Sequence, residues 1–151
     1  MSVCCSSKLK SDIARKENCP QCGDSQHSVL YQTVLHHVVH PDNQRLKEQA
    51  YYFCDSSVCP VVYFSGDDLV FTQERLRESV GQKTSDPLRT VCYCFDVTAQ
   101  QVIDELTRDG HSASKEFVVA QTKARHCACE IRNPSGRCCL VNFSKTRLGI
   151  A

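Results

Sequence analysis

The sequence predicts an α+β protein: a small β-rich half followed by a helical half, packed as one compact unit. Three observations predict it. Two β-branched and aromatic runs, Ala50-Tyr51-Tyr52-Phe53 and Val61-Val62-Tyr63-Phe64, flank a cysteine pair and read as the arms of a hairpin. A Thr98-Ala99-Gln100-Gln101 capping box opens an apolar stripe at Val102, Ile103 and Leu106 that stops at Gly110, the pattern of a capped helix. The twelve cysteines are grouped, with six of them inside residues 92–139. Thiols this dense point to a bridge framework or a bound soft metal.

Composition narrows the function classes. A chain of 151 residues can bury a core as one domain or two small ones. Lys and Arg number 18 against 17 Asp and Glu, so the near-neutral chain offers no electrostatic argument for nucleic acid or an anionic membrane. No apolar run approaches the ~20 residues of a membrane span, and no membrane insertion is expected. Residues 1–8 lack the apolar stretch of a secretory signal, which predicts a cytoplasmic protein. Disulfides are uncommon there, and clustered cysteines serve more often as metal ligands. The competing reading is a secreted disulfide scaffold, but a chain of this length with charged helical stretches has no need of staples. Nothing in the spacing supports a nucleophile–base pair or a phosphate-binding glycine loop, so a hydrolase is not predicted.

Residues 1–17 are polar and read as a flexible N-terminal tail, with Cys4-Cys5 as exposed, oxidisable thiols. Residues 18–82 form a predicted metal-binding β-rich subdomain. It opens with Cys19-Pro20-Gln21-Cys22-Gly23, a knuckle in which a turn aims two thiolates at one ion and Gly accepts the backbone angle that follows. Cys54 and Cys59 sit at the predicted hairpin turn. Four thiolates from two turns make a closed tetrahedral Zn2+ site of Cys19, Cys22, Cys54 and Cys59, with His27 close enough in sequence to replace one of them. A closed site leaves no position for water, so the zinc is expected to hold the fold and not to catalyse.

The intervening residues 29–40 are β-rich and read as one or two strands. His36 and His37 would then point to opposite faces, so they and His40 read as surface or half-buried histidines. Leu69-Val70-Phe71 is a short strand. Thr72 is a candidate cap for a helix over residues 74–80 ended by Gly81. Residues 82–89 are a polar linker and set the subdomain boundary.

Residues 83–151 form the helical subdomain. In Thr90-Val91-Cys92-Tyr93-Cys94-Phe95 an extended backbone places Cys92 and Cys94 on one side, about 6.5 Å apart along the chain at about 3.3 Å per residue. After the capped helix, residues 114–124 fit a strand locally and also fit a helix whose face is Phe117, Ala120 and Ala124. Cys127 and Cys129 follow. Then Asn133-Pro134-Ser135-Gly136 turns the chain so that Cys138-Cys139 folds back. A [2Fe–2S] cluster takes four thiolates, two per iron, and these cysteine groups can supply them. A second Cys4 zinc site would need the same ligands. The tight Cys-x-Cys pair opening a helix favours iron–sulfur, because structural zinc more often uses gaps of two to four residues. The spacing does not separate Cys127 from Cys129, nor Cys138 from Cys139.

Four ordered motifs carry a resemblance. Cys19-Pro20-Gln21-Cys22, the run from Tyr52 to Phe64 with Cys54 and Cys59 inside it, Val91-Cys92-Tyr93-Cys94, and Asn133-Pro134-Ser135-Gly136-Arg137-Cys138-Cys139 resemble the N-terminal domain of the CopZ copper chaperone family. The second half also resembles the bacterioferritin-associated-ferredoxin type of [2Fe–2S] domain. The likeness covers roughly residues 18–142. It implies one mononuclear zinc and one [2Fe–2S] cluster, with Cys92, Cys94, Cys129 and Cys139 as cluster ligands and Cys127 and Cys138 as spares. It also implies a role in copper homeostasis: single-electron transfer, such as reduction of Cu(II) to Cu(I), for a copper chaperone domain or a heavy-metal efflux ATPase. A non-redox zinc-binding interaction module and an iron–sulfur redox sensor are the alternatives. Longer family members add a copper-carrying domain with a Met-x-Cys-x-x-Cys loop. The one Met here is Met1, so that loop is not expected, and Cys4-Cys5 is the thiol pair that could stand in for it.

Overall fold

Five short strands pair in chain order to make one antiparallel sheet: β1 (Lys16–Asn18), β2 (Ser25–Val29), β3 (Tyr51–Phe53), β4 (Val61–Ser65) and β5 (Val70–Thr72). The computed structural model describes residues 16–143. Cysteine-bearing turns make two of the four connections. The knuckle joins β1 to β2, with Lys16 opposite His27, and the Cys54–Cys59 loop joins β3 to β4, with Phe53 opposite Tyr63. The β1 strand thus begins inside the segment expected to be tail.

Every residue of β3 and β4 is buried, because the sheet is covered on both faces. Tyr51, Phe53 and Tyr63 join Val34, Val38, Val62, Phe71 and Val80 in the main core. Alternation sends Tyr52 and Phe64 to the other face, where they stack at 5.3 Å among Cys19, Cys54 and Cys59. The thiols are therefore part of a hydrophobic layer.

Residues 29–40 do not form the one or two strands expected. After Val29 the chain leaves the sheet, because β3 occupies the edge beside β2, and it winds into α1 (Tyr31–His37). Thr33, Val34 and His37 fall on one face at helical spacing and are buried. Tertiary packing overrides the β propensity of the run. His37 is accordingly 1 % exposed, not a surface or half-buried residue, while its neighbour His36 is exposed.

The helix expected over residues 74–80 is also absent. A 3-10 turn at Gln73–Arg75 gives way to extended chain, and Leu76 bridges to Val38. Thr72 makes no side-chain cap bond. Instead the Gln73 side chain accepts from Val80 N at 2.8 Å and donates to Glu78 O at 2.9 Å, satisfying the backbone groups that a helix would have paired.

The second half opens with a two-stranded hairpin, β6 (Thr90–Cys92) and β7 (Val97–Thr98). It continues with α2 (Ala99–Asp109), α3 (Ala113–Lys123) and the single turn α4 (Cys129–Arg132). Thr98 Oγ1 accepts from Gln101 N at 3.2 Å and Gly110 closes α2 at φ 77°, so both ends of the helix fall where the sequence predicts, while the Gln101 side chain donates to Ser114 Oγ at 2.9 Å. The ambiguous run resolves as helix as far as Lys123, yet the buried face is Val118 and Thr122, not Phe117, Ala120 and Ala124. The core of this half is Val91, Val97, Val102, Val118 and Phe143 around Cys92, Cys129 and Cys139.

The halves meet where α1 lies against α4. Thr33 Oγ1 donates to Glu130 O, His37 Nε2 lies 2.8 Å from Ile131 O, and the Tyr63 hydroxyl donates to Pro134 O. Three carbonyls of the Cys129–Cys139 segment, those of Glu130, Ile131 and Pro134, thus find partners in the sheet half.

Candidate metal centres

The first centre is built by two turns that the sheet holds face to face. Gly23, at φ 79°, donates its N–H to Cys19 O at 2.9 Å, and Cys19 N donates to Asp24 O at 2.9 Å, closing the knuckle. Cys54 directly follows β3, and Cys59 lies two residues before β4. The sulfurs converge: Cys19 Sγ to Cys59 Sγ is 3.9 Å, Cys22 Sγ to Cys54 Sγ is 3.7 Å, and all four lie within 4.8 Å of one another. Tetrahedral thiolates about 2.3 Å from one zinc stand about 3.8 Å apart. Among the described residues this is the one such group of three or more His, Cys, Asp or Glu ligand atoms, and His27 is not in it.

The surroundings fit a tetrathiolate. Gln26, 1 % exposed, donates from Nε2 to Cys54 Sγ at 3.5 Å and accepts from Asp55 N at 3.2 Å. Lys83 Nζ donates to Ser56 O at 2.7 Å and Cys59 O at 3.1 Å, tying the loop and placing a positive charge beside the sulfurs. Burial opposes ionisation of Cys19, but the amides of Cys22 and Gln21 aimed at its sulfur outweigh it and lower its pKa. Burial pushes Cys54 up to about 12. A dication removes that conflict by letting crowded thiols ionise together. Cys22 is exposed while the other three are buried, so one edge of the centre faces solvent. Neither Gln26 nor Lys83 was found from the sequence, and no spacing rule would have found them.

The second tetrad lies between the β6–β7 hairpin and α4. Cys92 Sγ is 3.4 Å from Cys139 Sγ, and Cys94 Sγ is 3.7 Å from Cys129 Sγ. The Asn133 side chain holds the turn between the two later cysteines, accepting from Ser135 N at 3.1 Å and donating to Arg137 O at 2.9 Å. Gly136 adopts φ 69°, and a Cβ there would stand 3.3 Å from Val29 Cγ1. Ala128 N donates to Cys94 Sγ at 3.1 Å. A hydrogen bond from Cys139 lowers the Cys92 pKa, helped by the Phe95 and Cys94 amides. The hydrogen bond with Cys129 and burial push Cys94 up, so the thiols of this group share few negative charges without a cation. Cys92, Cys129 and Cys139 are fully buried, and Cys94 is half-buried. Cys127 and Cys138 are half-buried at the same two segments. Cys4 and Cys5 lie outside the described residues.

A mixed α/β protein with a Cys4 zinc-binding site is the class these features define. Residues 16–77 match a family of CopZ zinc binding domains. The copper chaperone CopZ of Archaeoglobus fulgidus is 34 % identical over 131 residues, which are 87 % of this chain and 61 % of that protein. The X-ray structure of the Archaeoglobus fulgidus CopZ N-terminal domain is similar at a TM-score of 0.72 and 35 % identity, with 88 % of this chain and 98 % of that domain covered. The chain belongs to the family of that N-terminal domain, and it spans about three fifths of the whole copper chaperone. Among the described residues no helix is long and apolar enough to cross a membrane.

Proposed function

We propose that this chain is a two-centre protein of copper homeostasis. Cys19, Cys22, Cys54 and Cys59 bind a structural zinc, and Cys92, Cys94, Cys129 and Cys139 hold a [2Fe–2S] cluster. The observation that carries the second assignment is the arrangement of sulfurs. They form two close pairs, 3.4 and 3.7 Å, joined by a hydrogen bond between Cys129 and Cys139, and no three of them converge within 4.8 Å as the first tetrad does. One tetrahedral ion calls for a single convergent set, whereas two adjacent irons call for two pairs side by side. The likeness to a copper chaperone supports the copper connection.

When bound, such a cluster supplies one electron at a time, enough to take one Cu(II) to Cu(I). The chain's own residues set the terms. The Ala128 amide, 3.1 Å from Cys94 Sγ, stabilises negative charge on that sulfur. Cys92, Cys129 and Cys139 are buried and Cys94 is half-buried, so a cluster held by these four would exchange its electron on the Cys94 side. A copper chaperone domain or a heavy-metal efflux ATPase is the partner for Cu(I) released there.

The test is anaerobic purification with metal and sulfide analysis. The expected result is two iron and two sulfide per chain with one zinc, and a red-brown spectrum that dithionite bleaches. Reduced protein mixed with Cu(II) and a Cu(I)-selective chelator then yields one Cu(I) per cluster. A colourless protein with two zinc would overturn the redox reading and leave an interaction module.

A further inference from the structure

The two tetrads are joined by a short polar path through the segment that the sequence presents as a linker. Lys83 Nζ holds Ser56 O and Cys59 O of the zinc loop at 2.7 and 3.1 Å. Lys83 ends a 3-10 turn, Gly81–Lys83, closed by Lys83 N donating to Val80 O at 2.9 Å, and Val80 is fully buried in the sheet core. At the other end of that turn Gly81 N donates to the Tyr93 hydroxyl at 2.9 Å, and the hydroxyl donates to Ser79 O at 2.7 Å. Tyr93 is 7 % exposed and lies between Cys92 and Cys94. The contact is tight: a Cβ on Gly81 would stand 2.3 Å from Thr90 O, on the strand that leads into Cys92. A three-residue turn therefore joins a grip on the zinc loop to a grip on the Cys92-Tyr93-Cys94 hairpin.

We infer that Lys83 and Tyr93 are positioning residues at the two ends of a strut by which the zinc-filled Cys54–Cys59 loop sets the place of Cys92 and Cys94. The inference rests on the cluster assignment proposed above. Loss of the Lys83 ammonium frees the zinc loop and lets the Gly81–Lys83 turn relax. Tyr93 then no longer finds Gly81 N at the same place, and the hairpin that carries two thiolates shifts. Outer partners of metal ligands act in this way on affinity and geometry, typically by 10- to 100-fold in affinity.

The experiment compares Lys83→Met, Tyr93→Phe, the double variant and Lys83→Arg, each purified anaerobically and saturated with zinc. Zinc affinity is read by chelator competition. The second centre is read by visible circular dichroism and by the electron paramagnetic resonance of the dithionite-reduced protein. We expect Lys83→Met to weaken zinc about 10-fold and to shift the cluster's dichroism and resonance, although Lys83 touches no cluster ligand. Tyr93→Phe should shift the same two signals at unchanged zinc content. The double variant should resemble Tyr93→Phe at the cluster, since both substitutions cut one path. Lys83→Arg, which keeps the charge and the donors, should restore the wild-type signals. Cluster signals in Lys83→Met identical to wild type would overturn the strut alone, as would shifts that simply add in the double variant. A wild-type protein without iron and sulfide would overturn the cluster assignment and the strut together.

Discussion

His37 carries a titration that the sequence hides. Burial pushes its pKa down to about 4, and its Nε2 faces the Ile131 carbonyl, which needs a donor. The neutral ring with its proton on Nε2 meets that need. An unfolded histidine titrates near 6.5, so the unfolded chain takes up a proton first as the pH falls. The stability that His37 contributes is full above about pH 6.5 and is lost between about 6.5 and 4, with about 2 kcal/mol gone by pH 5. His37→Gln removes the titration while keeping a donor. Denaturant unfolding at pH 7.5 and 5 is expected to show wild type losing about 2 kcal/mol more than the variant, and parallel losses would refute the assignment. Cys19, Cys22, Cys54 and Cys59 were legible as one set because ligand chemistry demands particular residues at particular spacings. Gln26, Lys83 and His37 were not legible, because any position can supply an amide, an ammonium or a ring once folding brings it near. The spacing alone did not choose Cys129 and Cys139 over their neighbours either. In the structure these two sulfurs face Cys94 and Cys92.

At the scale of elements, caps were easier to read than runs. Thr98 and Gly110 bound α2 as written, while the β-rich run after Val29 became a helix and the residues after Thr72 did not. A cap is a local bond, whereas the fate of a mixed apolar run depends on which sheet edge is already taken. The two capped helices make a comparison. Thr98 Oγ1 makes one cap bond at 3.2 Å, so Thr98→Ala is expected to cost about 1 kcal/mol. Ser112 caps α3 by accepting from Lys115 N at 3.1 Å, and it also donates to Oε2 of the buried Glu105 at 3.2 Å. Ser112→Ala removes the cap and one donor to a buried carboxylate, so it should cost about 2 to 3 kcal/mol. Urea titrations of both variants check the order, and equal costs would mean that the Ser112–Glu105 bond adds nothing.

At the scale of the whole molecule, the division into a zinc half and a helical half coexists with a shared interior. The zinc centre is one face of the sheet: Cys19, Cys54 and Cys59 share a layer with Tyr52, Val61 and Phe64. On the opposite side Tyr63, fully buried on β4, donates to Pro134 O between Cys129 and Cys139. Loosening β4 therefore withdraws a donor from the turn that sets Cys139. Removing zinc should act on α4 by this route as well as on the sheet. Amide hydrogen exchange before and after zinc chelation is the measurement. Faster exchange is expected in β3 and β4 and, with them, in α4. Tyr63→Phe, which leaves Pro134 O without its donor at a cost of about 1 to 3 kcal/mol, should raise exchange in α4 with zinc still bound. In that variant the further rise on chelation should be smaller than in wild type, because the link is already cut. Exchange in α4 that ignores chelation would show that the halves open independently, with the carbonyl contacts a consequence of their packing and not a link between the centres.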